Sequence, residues 1–352
     1  MAYGAFGDIR ALLHAPPSQG AWEKLCAEVR LWREPELSQV VFPYVLAQLE
    51  RWPDELRNIR PSWSKDLLRG RARGAHFTAM ARRIEVEDVT PTPEQWETLS
   101  SLDWRSLRHL SMTRVAAQAS RLDNPFVALE RHDWFTRLDT ISLDMFDTRA
   151  LRWAFTRGAL SNLESLSLHR MFIELDDLLE LALAPWPRLT TLSLARSRLQ
   201  RNRRSRTAGS IEPLHEDVFA PLLHTLELAH STYGRSAHHD LRVAEWLPSI
   251  EKLSLNTQAA NRSDAHLFDS ALIRLLEHSD LSSLEHLHLC GNVDRRHDDA
   301  LASNPTIGNL RRLEVTDVQD FSLLHELATR VVASRSFSEE LKSHWSGYVG
   351  FD

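Results

Sequence analysis

One short apolar motif recurs along most of this chain and limits the folds that the chain can adopt. The motif is L-x-x-L-x-L, as in LESLSL from Leu163, and an apolar residue precedes each copy by three positions. Successive copies start 25 residues apart at the closest, from Leu138 to Leu163, and 34 at the widest, from Leu189 to Leu223. Such self-similarity predicts a repeat architecture in which each copy stacks on its neighbours. The eight copies start at Leu107, Leu138, Leu163, Leu189, Leu223, Ile250, Leu284 and Leu310.

Segments with helical periodicity lie between several of these copies. Their apolar residues follow i, i+3, i+4 spacing, which is typical of an amphipathic helix. The segments are LDDLLELALA after Ile173, LRVAEWL before Pro248, DAHLFDSALIRLLEHS before Asp280 and FSLLHELATRVVA near the end. Asp176, Asp264 and Asp298 are expected at N-caps or in first helical turns. Alternating strand and helix patterns predict an α/β fold with parallel strands.

With these motif copies and the helical segments between them, residues 81–333 resemble leucine-rich repeats. The longer copies are similar to the ribonuclease-inhibitor type. The resemblance implies a solenoid with a curved parallel sheet on its concave side and helices on its convex side. ARRIEV from Ala81 is similar to a degenerate first repeat. The chain departs from the family at the Asn that commonly follows each strand, because only Asn292 fits. We therefore expect the main-chain groups of the other turns to find different hydrogen-bond partners.

Both ends of the repeat region are expected to be capped, because a stack of repeats otherwise exposes its core. Residues 1–80 predict a helical N-terminal cap, and residues 334–352 a C-terminal capping tail. The segment YVLAQLERWPDELRNIRPSW is similar to helical segments that accompany leucine-rich repeats in myxobacterial-type bacterial proteins. Breaks are expected near Pro35, Pro43, Pro53 and Pro61. Core positions are predicted for Trp104, Trp153, Trp186 and Trp246.

Composition argues against several functional classes. A net charge of −6 argues against bulk binding to nucleic acid or to a membrane surface. Cys26 and Cys290 are the only cysteines, so no disulfide framework is expected. The start MAYGAFGDIRALLHAPP lacks the pattern of a signal peptide, and we expect a cytoplasmic monomer. No phosphate-binding or hydrolase motif is recognisable, and we predict no catalytic residue, cofactor or metal.

Two sets of exposed residues are predicted to bind a partner. The first lies on the exposed strand face and comprises Lys252, His286, His288, Arg312 and Glu314. The second lies at the rim, where RSRLQRNRRSR holds six arginines in eleven residues without an acid. Arginine pairs bidentately with carboxylates and phosphates. The rim set comprises Arg170, Arg196, Arg198, Arg201, Arg203, Arg204, Arg206, His230, Tyr233 and Arg235.

These observations predict a non-enzymatic scaffold that binds a protein partner with an acidic surface. The alternative is binding of nucleic acid or another polyanion through the arginine-rich rim. A third interpretation is a solvated loop in an arginine-biased chain, since only four of the 42 basic residues are lysine.

One group of residues has the side chains needed for catalysis or metal binding. His286, His288 and Cys290 alternate along a predicted strand and are expected to point to its exposed side, with Glu314 beside His288 on the next strand. A carboxylate that orients a His beside a Cys can activate the thiol, and two His with one Cys can bind a metal. An open sheet face offers no oxyanion hole, so we expect neither role.

Overall fold

The protein divides into two compact units, Met1–Leu163 and Glu164–Asp352. Its structure, a computed structural model, describes residues 3–32, 35–71, 75–115, 125–146, 160–200, 211–215, 220–234, 236–259, 265–291 and 293–316. The predicted boundaries after residues 80 and 333 remain predictions. Within the described residues, no helix combines the length and the apolarity needed to cross a membrane.

The first unit begins with helices α1 (Tyr3–His14), α2 (Gln19–Val29), α3 (Phe42–Leu49) and α4 (Pro61–Leu68). Pro61 lies in the first turn of α4, where a residue without an N–H is tolerated, so this expected break is a helix start. Pro43 does not break its helix, because a π-helical turn, Leu37–Val41, runs directly into α3. The region is not wholly helical, because Asn58–Ile59 forms a short strand, β1.

Four parallel strands of the first unit follow one another in sequence order. After β1 come β2 (Arg83–Val89), β3 (His109–Val115) and β4 (Thr140–Asp144). The predicted degenerate copy from Ala81 therefore does form a strand. Helix α5 (Pro93–Ser100) follows β2 and starts with a capping box between Thr92 and Gln95, and helix α6 (Pro125–Leu129) follows β3.

A buried charge joins the helices of the first unit to its sheet. The Arg57 side chain is almost fully buried. Its Nε and Nη2 donate to the Met80 carbonyl oxygen at 3.0 and 2.6 Å, and its Nη1 donates to the Leu49 carbonyl oxygen at 3.2 Å. Burial lowers the pKa of Arg57 to about 10, so the guanidinium stays charged at neutral pH. These bonds tie the end of α3 to the segment that leads into β2.

The second unit contains a parallel sheet of six described strands in the order β5-β7-β9-β10-β11-β12. A separate parallel pair, β6 with β8, lies beyond the ends of β5 and β7. The bounds are β5 Ser165–His169, β6 Phe172–Glu174, β7 Thr191–Ser193, β8 Arg198–Gln200, β9 Thr225–Glu227, β10 Lys252–Asn256, β11 His286–Cys290 and β12 Arg312–Thr316.

Four described helices accompany these strands: α7 (Leu175–Leu183), α8 (Ser236–Val243), α9 (Ala265–His278) and α10 (Arg295–Ser303). α7, α8 and α9 fall on predicted helical segments, although α8 starts earlier than the apolar pattern indicates, whereas α10 is not among those segments. The N-cap of α10 is Asp294, whose carboxylate accepts from the Arg296 N–H, and Asp298 is the fourth residue of this helix. Asp264 and the FSLLHELATRVVA segment lie outside the described residues.

The repeat register predicted from the leucine motif is confirmed. Each of the eight strands begins two residues after the first apolar residue of its copy. That residue is buried in all eight copies, and so is the apolar residue three positions ahead of it. Trp104, Trp186 and Trp246 are core residues as predicted, whereas Trp153 lies outside the described residues. The fold is therefore mixed α/β with parallel strands.

A common turn conformation follows most strands. The residue seven positions after the motif start has a positive φ, which side chains other than glycine rarely adopt. The angles lie between 50° and 59° in six copies, and Gly291 has 116°. The six residues are Asp88, Arg114, Met145, Arg170, Arg196 and His230.

Buried serines replace the missing asparagine at two turns of the second unit. Ser197 Oγ donates to the Leu168 carbonyl at 2.7 Å and accepts from the Met171 N–H at 3.1 Å. Ser231 Oγ donates to the Leu194 carbonyl at 2.6 Å. The prediction that these turns use other hydrogen-bond partners is confirmed.

Candidate functional site

Three basic side chains lie in register on the exposed face of the second unit's sheet. Lys252 is the Cα partner of His286, and His286 is the partner of Arg312. The neighbouring residues Leu253, Leu287 and Leu313 point the other way, because side chains alternate along a strand. Parallel strands place such partners about 4.8 Å apart. We call Lys252, His286 and Arg312 the basic row.

The next row on this face mixes acidic and neutral side chains. Ser254, His288 and Glu314 are Cα partners on β10, β11 and β12. The expected placement of Glu314 beside His288 is thus observed, but the Glu314 carboxylate pairs with Arg312 at 3.0 Å. His288 Nε2 instead lies 2.9 Å from Thr316 Oγ1. Burial lowers the pKa of His288, and the nearby Glu314 carboxylate opposes this shift.

Cys290 does not form the predicted constellation. Its side chain is 2% exposed, whereas the hypothesis places it on an open face. The imidazole beside its Sγ belongs to His230, with Nδ1 at 3.0 Å, and not to His288. The contact between His230 and Cys290 was not predicted, because the two residues lie 60 positions apart in the chain. Across the described ranges, no group of three or more His, Cys, Asp or Glu side chains could hold a metal ion.

The predicted rim residues divide into three groups. Arg170, Arg196, Arg198 and His230 are exposed at the ends of strands, as expected. Tyr233 requires a correction, because it is 1% exposed and belongs to the core. The remaining rim residues lie outside the described part of the chain: Arg201, Arg203, Arg204, Arg206 and Arg235.

Tyr233 belongs to a buried polar cluster beneath the sheet. Its hydroxyl donates to the Asn256 carbonyl and accepts from the Asn256 N–H, both at 3.0 Å. His238 lies against Tyr233 and Phe268, with ring centroids 5.5 and 4.5 Å from its own. Burial lowers the pKa of His238 to about 3, so its imidazole is neutral. Burial raises the pKa of Tyr233. These groups stabilise the core and are not accessible to a partner.

Sequence reasoning missed one exposed aromatic side chain at the strand ends. Phe172 is 60% exposed and opens β6, where it is the Cα partner of Arg198 on β8. The available signal was the segment RMFIE, in which buried Met171 and Ile173 flank Phe172. Strand alternation places Phe172 outside, between these two buried side chains.

Comparisons with known proteins add no family assignment. No family model and no curated protein matches the chain. Among solved structures, Listeria monocytogenes InlP has a TM-score of 0.39 and 15% identity over 73% of this chain and 68% of that one. A Bacteroides fragilis protein has a TM-score of 0.38 and 12% identity over 71% of this chain and 73% of that one. At these TM-scores neither likeness carries an argument about fold or function.

Proposed function

We propose that the chain is a leucine-rich-repeat protein with a non-enzymatic role, the binding of a protein partner. In this proposal the partner contacts the exposed face of β9 to β12 together with the basic residues at the strand ends. The repeat register and the buried leucines support the family. An open polar face suits binding better than catalysis, because catalysis needs a pocket that excludes water.

The observation that carries the proposal is the basic row. Three side chains that can carry positive charge lie about 4.8 Å apart on successive strands. Among the described residues, Glu314 is the acid that pairs with this row, at Arg312. Placing cations so close together is unfavourable unless an acidic group is brought to them. An acidic protein surface would supply that group.

The direct test compares what the full chain captures from its host before and after charge reversal of this row. We expect the Lys252→Glu, Arg312→Glu double variant to lose its partner, because opposite charges across an interface become like charges. Arg274→Glu, an exposed reversal on α9, is the matched control and should capture the same partner.

Two results would count against the proposal. Identical capture by the double variant and wild type would remove the basic row from the interface. Loss of capture by Arg274→Glu as well would indicate a nonspecific charge effect. A parallel variant that reverses Arg201, Arg203, Arg204 and Arg206 tests the predicted rim contribution separately.

A further inference from the structure

Three consecutive copies present the same exposure pattern just beyond their strands. Arg170 and Phe172 are exposed around buried Met171, and Arg196 and Arg198 are exposed around buried Ser197. In the third copy, exposed His230 and half-buried Thr232 flank buried Ser231. We call the six outward residues the turn-edge surface: Arg170, Phe172, Arg196, Arg198, His230 and Thr232.

Main-chain contacts hold these copies side by side. Phe172 pairs with Arg198 in the β6–β8 ladder, and an isolated parallel bridge joins Arg198 to Thr232. The Arg170 N–H donates to the Ala195 carbonyl at 3.3 Å, and the Arg196 N–H donates to the Ala229 carbonyl at 2.9 Å. The six side chains therefore form two rows of three. At strand spacing, these rows cover roughly 10 Å by 7 Å.

The charge of the turn-edge surface is one-sided. It carries three arginines and one histidine but no acid. The acid that follows Phe172 most closely is Glu174, whose carboxylate accepts the N–H of Asp177 at the start of α7. That charge is thereby directed to the positive end of a helix.

The surface also combines an aromatic ring with arginine. Phe172 is 60% exposed, and its register partner is Arg198. Aromatic residues and arginine are enriched at interface cores and at the residues that carry most binding energy. The Phe172 ring among arginine side chains favours a ligand that supplies both acidic groups and one apolar side chain.

We propose that the turn-edge surface binds a short acidic segment of a partner protein, which packs one apolar side chain against Phe172. This inference rests on the proposed function and names the chemistry of the partner. The area is far below the roughly 800 Å² per partner of a standard interface, so a linear segment fits better than a folded domain.

A single-stranded nucleic acid fits this surface less well. Such ligands stack successive bases on several aromatic side chains, and Phe172 is the one aromatic among the six residues. The net charge of −6 also lacks the basic excess of nucleic-acid-binding domains. An oligonucleotide therefore belongs in the test as the competing outcome.

The test measures fluorescence anisotropy of labelled peptides with the full-length protein. One peptide set contains Asp, Glu, Gly and Ser with a single central Leu or Trp, and a matched set has Ala at that position. A third set is neutral, and an oligo-dT of similar length is the fourth probe. We expect the Leu and Trp peptides to bind tightest and all acidic peptides to weaken with salt.

Two variants and two controls assign the binding. Phe172→Ala should lower affinity for the Leu and Trp peptides about tenfold and remove their advantage over the Ala peptides. Arg198→Glu should weaken every acidic peptide at least about tenfold. The controls Leu183→Ala, an exposed apolar loss on α7, and Arg242→Glu, an exposed reversal on α8, should keep wild-type affinity.

The inference is overturned if acidic peptides bind no better than neutral ones. It is also overturned if the Leu advantage survives in Phe172→Ala, or if oligo-dT binds most tightly and depends on Phe172. Failure here leaves the proposed function standing if partner capture still depends on Lys252 and Arg312. Conversely, peptide binding without any effect of Lys252→Glu, Arg312→Glu on capture would remove only the sheet-face assignment.

Discussion

The two units of the molecule bury polar groups in different ways. The first unit buries a charge, since the Arg57 guanidinium donates three hydrogen bonds to main-chain carbonyls. At the end of its strands, an exposed ion pair joins Arg114 of β3 to Asp88 of β2. The second unit buries the His238 imidazole and the Ser231 hydroxyl, and it also buries the acidic residues Asp177 and Asp240.

The difference predicts how each unit responds to its surroundings. A guanidinium stays protonated at any ordinary pH, so the interior of the first unit is insensitive to acid. A buried imidazole binds a proton less readily in the folded state than in the unfolded chain. The free energy of unfolding of the second unit therefore falls as the pH falls. Exposed ion pairs respond to salt, whereas buried hydroxyls do not.

The largest expected effect is the removal of the buried charge. Arg57→Ala removes both guanidinium donors of the Met80 carbonyl, leaves the Leu49 carbonyl with the Trp52 N–H, and creates a cavity. We expect it to lower the free energy of unfolding by about 3–5 kcal/mol. Urea unfolding gives the magnitude, and hydrogen exchange should show protection lost in the first unit.

Arg60→Ala is the matched control, because Arg60 forms an exposed ion pair with Glu23. Exposed pairs contribute less than about 1 kcal/mol. Equal losses for Arg57→Ala and Arg60→Ala would show that the buried guanidinium does not hold the first unit together.

The second effect is acid sensitivity of the second unit. The pKa of His238 is about 3 in the folded state and near 6.5 when exposed. The unfolded chain therefore binds the proton first, and stability falls as pH drops below about 6.5 until it reaches about 3. From pH 7 to pH 5 this group alone should lower the free energy of unfolding by about 2 kcal/mol. Half-buried His288 acts in the same direction.

Hydrogen exchange at the two pH values locates this effect. We expect peptides of the second unit to lose protection more than those of the first. His238→Gln removes the titrating group and should flatten the pH dependence of unfolding. An unchanged slope in this variant would assign the acid sensitivity to groups other than His238.

The third effect is the loss of one buried hydroxyl. Ser231→Ala removes the hydroxyl donor of the Leu194 carbonyl, which keeps the Ser197 N–H at 3.2 Å, and we expect a loss of about 1 kcal/mol. Thermal unfolding measures it, with exposed Ser282→Ala as a control of little effect.

The reverse exchange sharpens this test. Val115 occupies the corresponding position in a first-unit copy, and its apolar side chain is buried. Val115→Ser should therefore cost about 1–3 kcal/mol. Neutral effects of both exchanges would mean that the two kinds of turn are interchangeable.

The smallest effect concerns the exposed ion pair. Arg114 bonds Glu87 at 2.8 Å and Asp88 at 2.7 Å, and it holds the pKa of Asp88 below its usual range. Because water and salt screen these groups, Arg114→Gln should lower the unfolding midpoint slightly at low salt and not at high salt. A large shift that persists in high salt would contradict this assignment.

Most of the fold could be predicted from the sequence because it depends on a local pattern. Leucines two and three positions apart mark where each strand begins, and the structure places all eight strands in that register. β1 was missed, since Asn58–Ile59 is too short to show any alternation. The sequence indicated that the turns need other hydrogen-bond partners, but it could not identify Ser197 and Ser231. The carbonyls that these hydroxyls bond lie 29 and 37 residues away in the chain.

The candidate site was less predictable. Strand alternation correctly grouped Lys252, His286 and Arg312, which share one face. Beyond the strand ends the rim set was assigned from its place after each strand, and this place does not show which side chains turn inward. Alternation continues there, because exposed Arg170 and Phe172 flank buried Met171 and Tyr233 is buried next to half-buried Thr232.

The turn conformation itself has a consequence for how this surface can change over generations. Asp, Arg, Met and His all occupy the positive-φ position, so its geometry is maintained by main-chain bonds such as that from the Arg196 N–H to Ala229. A lineage can therefore replace these outward residues one at a time without passing through an unfolded intermediate. An engineer has the same freedom, and Gly or Asn at this position would relieve backbone strain while erasing the local charge.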